Sequence, residues 1–307
     1  MTDAAYYWQK ANGGKGNVES YCSRGNGPPM KYINSMKTLY LSDLDGTMIR
    51  SNERISAYTA NTVNRFVRNG GCFSYATARS MVTASKVTAG LNAEFPVICY
   101  NGAFIIENKT KKLLQTNYFT LEETKAIRHA LTKIGFFPIV YAYINGKESF
   151  SYIERNVSEG MRLLLNKRLD DVRRREVRNE DDLYCGDVFY FSCIGEETQL
   201  APIYDMFKAE SHVQCIYQKD IYSEAYWCEL LPKEATKANA AIRLKTMLDC
   251  HKLVVFGDGR NDLSLFSVAD ESYAMENAVP ELKEIATGVI DSNDNDGVAR
   301  WLEDNIL

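Results

Sequence analysis

Asp43 and Asp45 stand one residue apart, at the end of the β-favouring run TLYLS, and Gly46 and Thr47 follow them. A second acidic group comes near the other end of the chain, where GDGRND (257–262) follows the apolar run KLVVF and supplies Asp258 and Asp262. Between them lie Thr77-Ala78-Arg79, after CFSYA, and Lys237, at the start of a helical stretch after CELL. Carboxylates from two clusters and one lysine suit a phosphoryl group held with magnesium, which prefers carboxylate and carbonyl oxygens and bridges to substrate phosphate. Asp43 and Asp258 can be direct ligands, with the backbone carbonyl of Asp45 a third. The lysine and a hydroxyl can hold phosphoryl oxygens that gain charge during transfer. One aspartate then serves as nucleophile and forms an aspartyl-phosphate. The second, two residues on, protonates the leaving oxygen and later activates water.

Each cluster alone has a plainer reading. DLDGT also makes a turn, with Asp and Gly supplying its geometry. GDGRND also reads as a turn and helix N-cap, or as a calcium loop, although no glutamate follows at the position an EF-hand needs. Their shared placement at the ends of successive apolar runs favours one site, because ligands of open parallel sheets bind at the carboxyl ends of the strands.

The surrounding elements make such a sheet plausible. TLYLS, CFSYA and PVICY read as strands, with helices over AYTANTVNRFVRN, capped by Ser56 and stopped at Gly70, and over SMVTASKVTAGL. This βαβαβ order predicts a parallel sheet. From about residue 112 the pattern changes. Thr120 and Glu123 form a capping-box pattern, and Asn145-Gly146 signals a hairpin between FPIVYAYI and KESFSYIE. The charge run DDVRRREVRNEDD predicts a solvated face or loop. Strand–helix alternation returns with IYSEAYWCELL, TKANAAIRLKTML and KLVVF. The expected organisation is a Rossmann-like α/β core over 36–111 and 218–307, interrupted by an α+β insert over 112–217. Residues 1–35, glycine-rich and aperiodic, read as a disordered leader or an extension.

Composition narrows the function classes. The 307 residues are 45% hydrophobic and 25% charged, in the range of a globular protein. A net charge of −4 offers no basic excess for nucleic acid. No apolar run approaches the roughly 20 residues of a membrane helix, and no secretion signal opens the chain. Eight cysteines without a CxxC pair read as free thiols of a reducing cytoplasm, and three histidines argue against zinc.

The four clusters resemble the four motifs of the haloacid dehalogenase-like superfamily, and the chain is similar to its Cof-type phosphatases. SDLDGTMI matches the first motif, Thr77 in ATAR the second, Lys237 in LPKEATKANAA the third and GDGRND the fourth. Asn101-Gly102-Ala103 and the closing segment MENAVPELKEIA…DSNDNDGVARWLE match as well. The resemblance implies Asp43 as nucleophile and Asp45 as acid/base. It implies magnesium held by Asp43, the Asp45 carbonyl and Asp258, with Asp262 in or near the shell, and phosphate bound by Thr77, Lys237 and Asn261. Ala78 replaces the usual glycine of the second motif, which is tolerable if its φ is negative, and Arg79 completes that motif.

Residues 44–76 hold a single crossover helix, so a large cap fits only between Thr77 and Lys237. In the family, a cap inserted there closes over the site and selects small phosphorylated metabolites. Tyr141, Lys147 and Arg155 of the insert are weighed as site residues and set aside as surface or packing. The expectation is a cytoplasmic, magnesium-dependent phosphatase of small organic phosphates, sugar phosphates foremost, acting as a monomer or weak homodimer without nucleic-acid or membrane partners. The rival readings are a phosphomutase or phosphotransferase on the same scaffold and a non-catalytic phosphometabolite sensor.

Overall fold

The computed structural model describes residues 37–92, 95–220 and 223–307, and the expected leader 1–35 lies outside them. The strands in chain order are β1 (Thr38–Ser42), β2 (Cys72–Tyr75), β3 (Val97–Cys99), β4 (Phe104–Ile106), β5 (Leu113–Thr116), β6 (Ile139–Ile144) and β7 (Lys147–Tyr152). They continue with β8 (Arg174–Glu176), β9 (Asp187–Gly195), β10 (Val213–Lys219), β11 (Tyr226–Pro232), β12 (Lys252–Gly257), β13 (Glu271–Met275) and β14 (Gly288–Ile290).

The core sheet has the order β14-β13-β12-β1-β2, every pair parallel. Its first crossover is the helix Ala57–Arg68. Ser56 caps that helix by accepting from the Thr59 amide, and Gly70, at φ +91°, lets the chain turn away after it. β3 meets the chain just past β2 through a parallel bridge from Ala76 to Ile98, then pairs with β4 and β5 in a small antiparallel sheet. The parallel α/β core expected from the sequence is present.

A second sheet, of order β10-β11-β9-β6-β7-β8, stands over the first; all its pairs are antiparallel except β7 with β8. The expected hairpin at Asn145-Gly146 forms, both residues at positive φ (51° and 75°), as a tight two-residue turn requires. Alternation along the strands divides its two faces. Tyr141, Tyr190 and Leu231 join a hydrophobic cluster continuous with the core's Leu39, Leu41 and Phe104. Val140, Phe191 and Leu230 instead pack with Ile127, Leu200 and Ile203 of the overlying helices.

One expectation is corrected here and another is qualified. The strand 226–232, read as the return to the parallel sheet, pairs with β9 and β10 in the second sheet, while β5, placed in the insert, pairs with β4. Lys237 therefore follows a strand of the antiparallel sheet. The charge run is largely exposed or half-buried, as expected, but Arg173 and Val177 within it are buried. Arg174–Glu176 form β8, and Arg173, 5% exposed, donates to Asp171 and Glu148. The seven cysteines among the described residues form no disulfide with one another. No helix among the described residues is long and apolar enough to cross a membrane.

Candidate active site

β1 ends between β2 and β12, with Ser42 in register with both Tyr75 and Phe256. The chain therefore delivers Asp43, Thr77 and Asp258 to one edge. The Asp43 amide donates to Phe256 O and the Ala76 amide to Ser42 O, each at 2.9 Å, so the loops begin locked to one another. Gly46 turns the first loop at φ +74°. A Cβ there would lie 2.2 Å from Asp258 Oδ2, so only glycine lets the two acidic loops meet. Thr47 Oγ1 donates to Asp258 Oδ1 at 2.7 Å.

Lys237 opens the helix Lys237–Met247, whose N-cap Thr236 accepts from the Asn239 amide. Its side chain is 1% exposed, and Nζ donates to Asp43 Oδ1 and to Asp262 Oδ1, both at 2.7 Å. Asp262 Oδ2 accepts from the amides of Asp258 and Gly259 at 3.1 Å. Asp262 thus pins Lys237 with one oxygen and shapes its own loop with the other.

Oxygens of Asp43, Asp258 and Asp262 all lie within 4.8 Å of one another. Burial pushes the Asp43 carboxyl up to about 7, with Lys237 opposing the shift and Asp262 adding to it. Burial, then Asp43 and Asp262, hold Asp258 well above the usual carboxylate range. Burial disfavours the Lys237 ammonium, but Asp262 and Asp43 outweigh it and raise its pKa. Three carboxylates thus converge on one cation of the protein's own, an arrangement that fits a hard divalent ion with oxygen ligands.

The second-motif residues lie alongside. Thr77 is fully buried; its Oγ1 accepts from the Arg79 amide at 3.1 Å, and its carbonyl accepts from the Asn101 amide at 2.9 Å. Ala78 is absent from the described residues at positive φ, so the replaced glycine leaves no backbone strain. Arg79 grips Asp45 with a two-pronged contact, Nε to Oδ2 at 2.8 Å and Nη2 to Oδ1. Asn261 Nδ2 donates to Asn101 Oδ1 at 3.3 Å. Lys237, Asn101 and Asn261 line a cavity of about 310 Å³ together with Gln214 and Ile216 of the second sheet.

All the residues singled out in the sequence thus come to one edge of the parallel sheet or to the wall beside it. Sequence reasoning missed Asn101 as a site residue, although Asn-Gly-Ala after a third strand was a usable signal. Asn101 sits at φ +52°, and Gly102 beside it at φ +103° leaves no room for a Cβ, which would meet Thr236 O at 2.2 Å. It also missed Tyr190, whose hydroxyl accepts from Asn101 Nδ2 at 3.3 Å and which carries no local signal. Of the insert residues set aside, Lys147 and Arg155 are exposed, and Tyr141 is buried with its hydroxyl accepting from Arg168.

This fold matches that of known proteins. Residues 40–302 match the family model of the haloacid dehalogenase-like hydrolases, and the chain belongs to that family. It is 26% identical over 284 residues to the 5-amino-6-(5-phospho-D-ribitylamino)uracil phosphatase YwtE of Bacillus subtilis, an alignment covering 85% of this chain and 95% of that one. A haloacid dehalogenase-like hydrolase from Bacteroides thetaiotaomicron superimposes with a TM-score of 0.71 at 22% identity, over 87% of this chain and 98% of the other. The HAD subclass IIB sugar phosphatase BT4131 does so with a TM-score of 0.68 at 19% identity, over 87% and 98%.

Proposed function

We propose that this hydrolase removes phosphate from small organic monoesters, with sugar and polyol phosphates its substrate class, through an aspartyl-phosphate on Asp43. The observation that carries the reading is the Lys237 bridge: one buried ammonium bonded to both Asp43 and Asp262 at 2.7 Å, with Asp258 in the same cluster. The bridge fixes the Asp43 carboxylate for attack, and it leaves an excess of negative charge that a divalent cation relieves. The printed names of the relatives, one a phosphatase of a ribityl compound and one a sugar phosphatase, support the substrate class.

Asp43, the Asp45 carbonyl and Asp258 would hold magnesium, while Asp262 supports the site chiefly by orienting Lys237. Bound there, magnesium neutralises phosphoryl oxygens and so permits approach of an anionic nucleophile. The chain's own residues do the rest. Asp43 Oδ attacks phosphorus in line; the P–O bond to the alcohol breaks as the new one forms. Asp45 gives its proton to the departing oxygen, then takes one from the water that attacks the aspartyl-phosphate. Arg79 engages both oxygens of Asp45, so a substrate phosphate that draws Arg79 away lets Asp45 turn toward the departing oxygen. The Thr77 hydroxyl, Lys237 and Asn261 receive the phosphoryl oxygens. The second sheet covers the cavity, which favours transfer to Asp43 before water enters.

Release of inorganic phosphate from a panel of phosphate esters, with magnesium and without an added acceptor, tests this reading. Turnover that needs a sugar acceptor would assign a phosphotransferase instead, and binding without turnover a sensor.

A further inference from the structure

Lys237, Asn101 and Asn261 share their cavity of about 310 Å³ with a second cation, Arg260, and among the described residues that line it none is acidic. That volume suits one small metabolite. Lys237 is already engaged: its side chain is 1% exposed and its ammonium is bonded to Asp43 and Asp262. Arg260 is not tied down in this way. It lies in the loop that follows β12, its side chain is 60% exposed, and its Nε and Nη2 both donate to one oxygen, Glu281 Oε1, at 3.2 and 2.7 Å. Its Nη1 has no partner among the described residues. Glu281 does not line the cavity, and an ion pair this exposed is weak enough to yield to another anion.

Two neutral donors line the same cavity. Gln214 on β10 is in register with Leu231, whose side chain belongs to the cluster continuous with the core, so Gln214 also faces the core. Ser264, in the short helix Leu263–Phe266, lines the cavity from the side of the parallel sheet. Both are half-buried, and neither side chain has a hydrogen-bond partner among the described residues. A guanidinium, an amide and a hydroxyl free to donate, with no carboxylate among them, complement an anion. The guanidinium fork in particular matches the oxygens of a carboxylate or a phosphate. The phosphate to be transferred goes to Asp43, Thr77 and Lys237, so the anion that Arg260 meets is a second one.

We infer that Arg260, with Gln214 and Ser264, binds a second anionic group on the alcohol part of the substrate. Arg260 is then a specificity-determining residue, favouring esters that carry a carboxylate or a further phosphate over those charged only at the phosphate to be removed. The inference rests on the phosphatase reading and deepens it.

The test measures kcat/KM, with magnesium, for two matched pairs of esters in wild type, Arg260→Gln and Arg260→Lys. The pairs are 6-phosphogluconate with glucose 6-phosphate, and fructose 1,6-bisphosphate with fructose 6-phosphate. The first pair differs by a carboxylate and the second by a phosphate, so the pair that shows selectivity identifies the anion. Wild type is expected to favour the doubly anionic ester of at least one pair by about tenfold or more, and Arg260→Gln to lose that preference, chiefly through KM. Arg260→Lys, which keeps the charge without the fork, should fall between them. Arg260 is exposed, so both variants should fold, which thermal melting checks. Wild-type ratios below about twofold in both pairs, or ratios in Arg260→Gln within about twofold of wild type, overturn the inference. An equal loss on both members of a pair also overturns it and makes Arg260 a positioning residue for the 257–262 loop. Turnover confined to esters without a second anion overturns this inference and leaves the phosphatase reading standing; no phosphate release from any ester overturns both.

Discussion

The chain buries charge in two places, and the two differ in balance. In the second sheet, Arg173 lies between Asp171 and Glu148, with the Tyr100 hydroxyl at 3.3 Å from Nη1. Each partner is 14% exposed or less, and Asp171 is held below the usual carboxylate range by the Arg173 guanidinium. The guanidinium fork is filled by oxygens from three side chains. At the core edge, Lys237 alone meets Asp43 and Asp262, with Asp258 beside them, and Asp43 and Asp258 are pushed up instead. The first network sets one guanidinium against two carboxylates, each held by its own prong of the fork, and it ties loops together. The second sets one ammonium against three carboxylates, and the larger excess of negative charge suits a cation. Burial is common to both, so burial of charge alone does not mark an active site.

The sharpest way to break the contrast is Asp43→Asn. An amide cannot form the acyl phosphate, so kcat should fall at least about 10³-fold. The fold should persist, because the substitution removes one excess negative charge and leaves Lys237 paired with Asp262. Steady-state phosphate release beside a thermal melt checks both halves, and near-normal turnover in a folded variant would remove Asp43 from the chemistry.

The Arg173 network should respond in the opposite way. Arg173→Met strands two largely buried carboxylates and should destabilise the protein by about 3–5 kcal/mol in urea unfolding. Because Tyr100 precedes Asn101, a smaller loss of turnover should accompany it. Unchanged stability would mean that Asp171 and Glu148 find other partners, and the two networks would no longer be distinct in kind.

Asp258→Ala should sharpen the comparison from the metal side. It removes one carboxylate from the unbalanced cluster, so the magnesium concentration for half-maximal turnover should rise at least about tenfold. Chelator should stop the wild type and excess magnesium restore it, and binding should raise its melting temperature by mass action. Full turnover at zero measured metal would leave the acidic cluster without its counter-charge.

The smallest effect concerns pH. Burial raises Glu229 to about 7 in the folded chain, from an ordinary value of 4.5. The folded state therefore holds this proton more tightly, and the associated stability is full below about pH 4.5 and lost as pH rises through 7. Without metal, the melting temperature should fall between pH 5 and 7.5, and Glu229→Gln should make that fall shallower. An identical slope in the variant would show that Glu229 does not titrate in this window.

Much of the site was legible because its chemistry is written locally. Asp43, Asp45, Thr77, Lys237 and the 257–262 loop each follow an apolar run, and the turn at Gly46 and the cap at Thr236 are short-range devices. The capping box at Thr120 and the hairpin at Asn145-Gly146 form as read for the same reason. The sheet assignment of 226–232 was not legible. A strand's own pattern reports that it has a buried face, and nothing in it names the neighbour. The same holds for Arg173, whose burial depends on Glu148 and Tyr100, 25 and 73 residues away.

The sequence by itself determined the reactive groups, the order of strands and helices around them, and the glycine and cap positions that local sterics require. Tertiary structure alone decided which oxygens Lys237 bridges, that Asp262 serves it as an anchor, and that Gln214 and Ile216 wall the cavity from the second sheet. The reason is physical. A backbone conformation is chosen by neighbours a few residues away, whereas the pairing of buried charges depends on which distant side chains share one small volume from which water has been removed.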